Sequence, residues 1–468
     1  MPDCEEASAP SPRGRRASAD TRQDLELLSD PIVALATPPG RGALALIRLS
    51  GASGFSVAAR CLQPFHPAPA RTVFRARLVH PHSREPVDDV LAACFPAPHS
   101  YTGEDVVEIS THGGLTVPAA AVAALVAAGA RPAQPGEFTR RAVLNAKMDL
   151  LQAEATADLI DAGSPVQRRR ALQQLERGLS DRLAALRSEI LEFEALIAHD
   201  IDFPEEDEGP VSPERVRGAW SVVRGRVADL LRTAPEGERL REGALLVIAG
   251  RPNAGKSSLF NALLGTERAI VTEIPGTTRD AIEAHAVIEG FPFRLVDTAG
   301  IHDSAERIER LGIAISKRYL DAADLILFCR DSDDDELPDV GPTPVVEVVT
   351  KADLPNRPSG RPPDARSLSV LTGEGLPELR RRLAAVAFGR LLALGDVEPV
   401  VTRARHRAAL ERAALELDEF RAAGEAGVDT AAAATHLRAA VAALDDLIGV
   451  VTPQDVLDRV FAAFCVGK

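Results

Sequence analysis

The stretch "LLVIAGRPNAGKSSLFNAL" constrains the fold more than any other part of the chain. It reads as a strand, a GxxxxGKS loop and a helix, in that order. Strands alternate with helices from there across residues 244–391, which implies a doubly wound, mostly parallel sheet. Glycines let successive backbone N–H groups of the loop point at phosphate oxygens, and the helix N-terminus adds positive potential. Lys256 is placed to reach the terminal phosphates and the Ser257 hydroxyl to ligate Mg²⁺. The competing reading is a chance glycine loop, but the strand before it and the helix after it argue against that.

A phosphate loop alone names neither base nor chemistry. "FRLVDTAG" reads as a strand delivering Asp297 to the Mg²⁺ shell and Gly300 to the γ-phosphate. "TEIPGTTRD" lies between loop and strand and offers Thr278 as a second hydroxyl for Mg²⁺. "VVEVVTKAD" supplies the base reader. Asp353 can accept from guanine N1–H and the exocyclic amine, neither of which adenine offers, and the Lys351 stem can stack on the base. "SLSVLTGEG" then places Ser369 and Val370 near guanine O6. The ligand expected is GTP. Its shell comprises Asn253, Ala254, Gly255, Lys256, Ser257 and Ser258 of the loop, then Thr272, Glu273, Ile274, Pro275, Gly276, Thr277 and Thr278. Asp297, Thr298, Ala299 and Gly300 follow, with Thr350, Lys351, Ala352, Asp353, Ser369 and Val370 at the base. Ras-type proteins orient the attacking water with a glutamine after Asp-Thr-Ala-Gly. Here Ile301 occupies that position, so another charge must complete catalysis, and Asn253 in the loop could ligate an extra cation.

The rest of the chain organises around this block. Residues 1–28 mix Ser, Pro, Arg, Asp and Glu without an apolar core and read as a disordered leader, not a signal peptide. Residues 29–145 alternate short apolar runs with Gly/Pro turns, as a compact α/β or α+β domain does. Helical periodicity dominates 146–242 and returns over 392–468, with Ser212 as an N-cap in the first part. Helices on both sides of the nucleotide block, 243–391, imply one discontinuous helical domain with the nucleotide domain inserted. The fold class expected is therefore α/β with all-α: an N-terminal α+β domain, a helical domain and an inserted Ras-like P-loop G domain.

Charge and cysteine usage narrow the partners. A net charge of −14 argues against a protein that holds nucleic acid by itself, so any RNA contact is expected to be local or shared. Five scattered cysteines without a CxxC pair argue against a disulfide framework or zinc site and for a reducing, cytosolic compartment. The longest apolar stretch, "AAAVAALVAAGA", is too short to span a bilayer. The sequence ends "RVFAAFCVGK". Gly467 and Lys468 do not fit a prenylation box. A core cysteine with a frayed tail and a functional tail both remain open; Phe461 and Phe464 are expected in the helical core, with Gly467 freeing the backbone beyond them.

With these residues in view, the chain resembles the MnmE (TrmE) family of tRNA-modification GTPases. The match covers nearly everything after the leader. "ATPPGRGALALIRLSG", "YTGEDVVEISTHGG" and "PGEFTRRAVLNAKMDLLQAEATADLIDA" carry it in the first domain, "GRPNAGKSSL", "IVTEIPGTTRD" and "DTAGI" in the second, and "FCVGK" closes it. The resemblance implies that the first domain dimerises and binds 5-formyltetrahydrofolate or a related one-carbon folate, at positions matching Arg48, Glu108, Lys147 and Lys468, with Cys465 close to the one-carbon chemistry. It implies K⁺ held by Asn253, Thr272, Ile274 and Thr277 beside Mg²⁺ on Ser257 and Thr278, and the hydrolytic water positioned by Glu309. It further implies a homodimer that forms a heterotetramer with the flavin- and NADH-dependent MnmG (GidA) protein. That complex engages the tRNA anticodon region and modifies carbon 5 of the wobble uridine. The chain departs from the family at Thr350, where asparagine is usual, at Val370, where alanine is usual, and at His302.

Blander readings stand beside these. Arg48 and Glu108 could be a domain ion pair, Asn253 a turn residue, and Glu309 a solvated helix face. Two other functions compete: a ribosome-assembly switch GTPase that binds RNA, and a GTP-driven scaffold. The first lacks an RNA module such as a KH domain, and the second would leave the first domain idle.

Overall fold

The structure, a computed structural model, describes residues 30–66, 71–202, 212–265, 283–297, 318–330, 340–354, 366–395, 398–449, 454–462 and 464–467. It divides into two compact units, Met1–Met148 with Gln454–Lys468, and Asp149–Pro453.

The first unit is built on β1 (Ile32–Leu35), β2 (Leu44–Ser50), β3 (Leu62–Gln63), β4 (Val73–Val79), β5 (Pro86–Phe95), β6 (Val106–His112) and β7 (Arg131–Pro132). They form one sheet in the order β3-β4-β5-β6-β2-β1-β7. Neighbours run antiparallel except β1 and β7. In β2 the alternation of "LALIRLS" buries Ala45, Ile47 and Leu49, while Leu46 and Arg48 point to the other face. The buried row meets α1 (Gly54–Cys61) and α2 (Thr116–Ala127) in a core that includes Val57, Ala58, Ala121 and Leu125. On the opposite face Ile32, Ala34 and Ala133 pack with Phe138 of α3 (Glu137–Leu144).

The second unit opens with five helices, α4 (Leu150–Asp161), α5 (Pro165–Leu175), α6 (Gly178–Asp202), α7 (Pro213–Leu231) and α8 (Ala234–Glu242). Ser212 caps α7 as expected, its side chain accepting from Arg215 N at 3.3 Å. Then come β8 (Ala244–Gly250), α9 (Lys256–Leu264), β9 (Glu283–Ile288), β10 (Phe291–Asp297), β11 (Leu325–Arg330), β12 (Val345–Val349), β13 (Arg366–Ser367) and α10 (Leu376–Leu394). The sheet order is β13-β12-β11-β8-β10-β9, parallel throughout except for β9 against β10. The chain then returns to helix in α11 (Ala404–Glu425) and α12 (Thr430–Ile448). One apolar core joins Leu183, Leu186 and Ile190 of α6 with Val227 of α7, Leu410 and Leu417 of α11, and Leu437 and Leu444 of α12. The expected α+β, discontinuous helical and inserted doubly wound parts are all present. No helix among the described residues is long and apolar enough to cross a membrane.

The segment after Pro453 departs from expectation. Helix α13 (Gln454–Ala462) packs against α3 of the first unit, and Arg140 bridges to Asp458 at 3.2 Å. Phe461 and Phe464 are buried, at 2% and 8% exposure, but not in the helical core. They close over Gly136 at the start of α3, where an added Cβ would lie 2.8 Å from the Phe461 carbonyl oxygen and 3.0 Å from the Cβ of both phenylalanines. Sequence adjacency to α12 gave no sign of this partner.

Candidate functional site

Strand β8 is apolar and buried along nearly its whole length, as a central parallel strand must be, and it delivers Gly250 to the carboxyl end of the sheet. A Cβ on Gly250, whose φ is +143°, would fall 2.3 Å from the Cys329 carbonyl oxygen of β11, so only glycine lets the loop leave between the two strands. The loop then turns through Asn253 at φ +63° and Gly255 at φ +87° before α9 begins. Left-handed positions of this kind form a concave nest of N–H groups suited to an anion. Lys256, 5% exposed, has its ammonium inside this turn, donating to the carbonyls of Gly250 at 2.8 Å and Arg251 at 2.7 Å.

The expected Mg²⁺ residues that are described lie together. Ser257 Oγ, on the first turn of α9, donates to Asp297 Oδ2 at the end of β10 over 2.6 Å. A hydroxyl and a carboxylate at hydrogen-bond distance beside a phosphate nest are the oxygen donors a hard divalent cation takes. The residues expected to read the base come together from two loops. Ser369 Oγ donates to Asp353 Oδ1 at 2.6 Å and accepts from Thr372 N at 3.2 Å, while Ala352 N donates to Leu368 O at 3.0 Å. The Ser369 hydroxyl, then the backbone amide of Asp353 itself, hold its carboxyl below the usual range. Thus Ser369 fixes the aspartate. Val370 packs against the core beneath the sheet. The remaining expected positions, Thr272, Glu273, Ile274, Pro275, Gly276, Thr277, Thr278, Thr298, Ala299, Gly300 and Glu309, lie outside the described residues, as does Lys468.

A second constellation sits in the first unit. Register places Arg48 between Ala34 and Glu108, all on one face of the sheet. Arg48 donates to Glu108 Oε1 through Nη2 at 2.7 Å and Nε at 3.0 Å, so the ion pair of the blander reading exists. The same guanidinium lies over Tyr101 at 5.1 Å and Phe138 at 5.8 Å from the ring centroids. Lys147 Nζ donates to Pro98 O at 2.9 Å. Gly467, at φ +97°, passes so close to β1 that a Cβ would stand 2.4 Å from Leu35 O; Cys465 is exposed, which excludes a core cysteine.

Several supporting residues escaped sequence reading. Arg141, 1% exposed, binds Glu104 at 3.0 Å, Glu137 at 3.0 Å and the Asp30 carbonyl at 2.9 Å. Burial pushes the Glu137 carboxyl up, but Arg131, the Gln134 amide and Arg141 outweigh it and leave it below the usual range. This network sets α3, and with it Phe138, under Arg48. Tyr101 was detectable: it is one of 2 tyrosines and stands directly before "TGED".

Family comparison covers both units. A model described as the GTP-binding protein TrmE N-terminus matches residues 31–147, and one described as the MnmE helical domain matches residues 150–465. The tRNA modification GTPase MnmE of Methylobacterium radiotolerans is 44% identical over 449 residues, spanning 94% of this chain and 99% of that one. The protein of the same description from Thermus thermophilus is 41% identical over 451 residues, with 95% and 100% covered. That from Moorella thermoacetica is 40% identical over 466 residues, with 94% and 100% covered. Matches over both units, and relatives aligned along their whole length, mean that this chain belongs to the MnmE family of tRNA modification GTPases.

Proposed function

We propose that this chain is a K⁺-dependent GTPase of tRNA wobble-uridine modification. With a flavin- and NADH-dependent partner of the MnmG (GidA) kind, it would add an aminomethyl-type group at carbon 5, taking the one-carbon unit from 5-formyltetrahydrofolate. The observation that carries the reading is the convergence, at the carboxyl end of one parallel sheet, of the Lys256 turn, the Ser257–Asp297 pair and the Asp353–Ser369 pair. Asp353 selects guanine, Lys256 and the nest N–H groups hold phosphate, and Ser257 with Asp297 offers oxygens to Mg²⁺. Bound Mg²⁺ and K⁺ would supply positive charge to the transferred phosphoryl group. Asn253, at its left-handed position, offers an amide oxygen to K⁺ with Thr272, Ile274 and Thr277, and Glu309 orients the attacking water.

In the first unit, Arg48 over Tyr101 and Phe138 makes a platform for a flat ring. Glu108 can accept from ring N–H groups, and Lys147 with Lys468 can meet the anionic part of a folate. The exposed Cys465 is available to the one-carbon chemistry. The assembly proposed is a homodimer that joins two partner subunits and engages the tRNA anticodon region in the cytoplasm. GTP turnover in K⁺ and in Na⁺ at equal ionic strength tests the mechanism. Sodium is expected to slow it on the order of 10²-fold, the size of one lost transition-state charge donor. Equal rates would remove K⁺ from the mechanism.

A further inference from the structure

We infer that the β4 edge of the first sheet is a contact surface for an RNA phosphate backbone, built from Arg60, Arg71, Arg75, Arg77 and Arg84. The inference rests on the tRNA role of the family, and not on the K⁺ or folate parts of the reading above.

Between Pro31 and Arg84 the chain has 7 arginines and no Asp or Glu, although the whole sequence carries 68 acidic against 54 basic residues. Such a run reverses the sign of a chain of charge −14 locally, an asymmetry that points to a polyanion. It supplies the local contact that the net charge calls for. All the basic residues of the run are arginine, whose planar fork meets phosphate oxygens two at a time.

The fold gathers most of them at one edge. Among the described residues β3 pairs only with Arg77 and Leu78, so the rest of β4 is the margin of the sheet. Alternation along β4 buries Ala76 and Leu78 in the core and leaves Val73, Arg75 and Arg77 on the other face. The side chains of Arg75 and Arg77 are 76% and 59% exposed. Both bond Asp89 of β5 at 3.1 Å, so two guanidiniums share one carboxylate. Past the end of β4, Arg84 donates to the Arg60 carbonyl at 3.3 Å and Arg60 to the Ala128 carbonyl at 3.0 Å. Carbonyls hold these guanidiniums without neutralising them. Arg71, just before β4, is exposed as well. The nearby acids are Glu85 and Asp89, while Asp88 is turned to the His112 ring at 2.8 Å.

Register gives the edge its direction. Val73 opposes Ala93, Ala93 opposes Glu108, and Glu108 opposes Arg48. Arg75 and Arg77 therefore share the face of the Arg48–Glu108 pair, with β4 three strands from β2, about 14 Å at the usual strand spacing. Phosphate contacts at this edge would hold an RNA beside that face without reading its sequence.

The test titrates tRNA, and separately poly-aspartate, against the full chain by fluorescence anisotropy between about 50 and 200 mM salt. One variant combines Arg71→Gln, Arg75→Gln and Arg84→Gln; a second carries lysine at the same three positions. The glutamine variant is expected to bind tRNA about ten-fold more weakly and to lose about 2 from the slope of log affinity against log salt, since each phosphate contact contributes roughly 0.7–0.9. The lysine variant keeps the charge and is expected to keep the slope and bind within about three-fold of the parent. A glutamine variant with the parent's slope, or a parent that does not bind tRNA at the lowest salt, would overturn the inference. So would a variant that loses poly-aspartate but keeps tRNA, which would make the edge a surface for an acidic protein. If the triple variant does not fold, Arg75→Gln alone decides on a slope change of about one, since Arg77 stays on Asp89. Wobble uridine left unmodified in a complete reaction would count against the functional reading alone, because binding involves no chemistry.

Discussion

Asp353 presents an exposed carboxylate that the Ser369 hydroxyl holds below its usual titration range. At neutral pH it is thus an acceptor only, and guanine is the purine that offers it two donors. Asp353→Asn exchanges one acceptor oxygen for a donor amide, which suits the carbonyl at carbon 2 of xanthine. GTP affinity is expected to fall about 10- to 100-fold, the size of a lost hydrogen bond to a charged group, while XTP affinity rises. Competition between the two nucleotides measures it, and unchanged GTP preference would refute the assignment. At this scale the sequence was half legible. Asp353 follows from a strand and "TKAD". Its partner lies 16 positions away, a separation that carries no period, and Ser369 was expected to face the base. Arg141 was invisible for a similar reason: an arginine inside α3 looks like a surface charge until Glu104 and Glu137 close on it.

Among the elements, α4 and α11 are joined by a buried polar contact that no period announces. Glu154 accepts from Arg405 at 3.0 and 3.1 Å and lies 2.6 Å from His406 Nε2; His406 is fully buried and its Nδ1 has no partner among the described residues. Burial pushes Glu154 up, but the His406 contact and the guanidiniums of Arg405 and Arg403 pull it well below the carboxylate range. Burial holds His406 below its ordinary 6.5. The neutral imidazole then donates from Nε2, since a cation would leave a buried N–H unmet. Both folded-state values are depressed, so both contributions are present above the unfolded values and are lost as pH falls. The thermal midpoint is expected to drop between pH 7.5 and 5.5 as the unfolded histidine protonates, and His406→Gln to flatten that limb. Glu154→Ala leaves Arg405 without its carboxylate partner, while Arg403 keeps Asp158, and should cost about 3–5 kcal/mol in urea unfolding. The helix pair α3 and α13 gives a further expectation. Gly136→Val must place a β-branched residue at φ +68° and against Phe461, so hydrogen exchange of Gln454–Ala462 should quicken while the second unit is unchanged.

At the scale of the whole chain, the insertion was legible because periodicity itself changes: helical, then alternating, then helical. The structure supplies the physical reason. The helical core draws on residues 151–234 and 401–448 and contains no residue of the parallel-sheet block. The chain also closes on itself at the two ends of that block, since a Cβ on Gly237 of α8 would stand 2.1 Å from the Val401 carbonyl. Replacing residues 243–399 with about six Gly/Ser residues should therefore leave a helical unit that melts cooperatively, as circular dichroism would show; a non-cooperative melt would mean that the sheet supports the bundle. What was not legible is the destination of α13, because its partner Gly136 is more than 300 positions earlier and is an ordinary "PGEF" turn in the sequence.

That docking of α13 has a consequence in time. The first unit is assembled from the earliest-made part of the chain and from the segment that begins at Gln454, with all of Asp149–Pro453 between them. At about 5–20 residues per second, the ribosome spends roughly 15–60 s on that interval. Throughout it the nascent first unit has Gly136 and its surroundings bare, without Phe461, Phe464 or the strand-hugging Gly467. A chain cut short anywhere within the second unit would thus present its first sheet without the residues that close over Gly136 and run along β1.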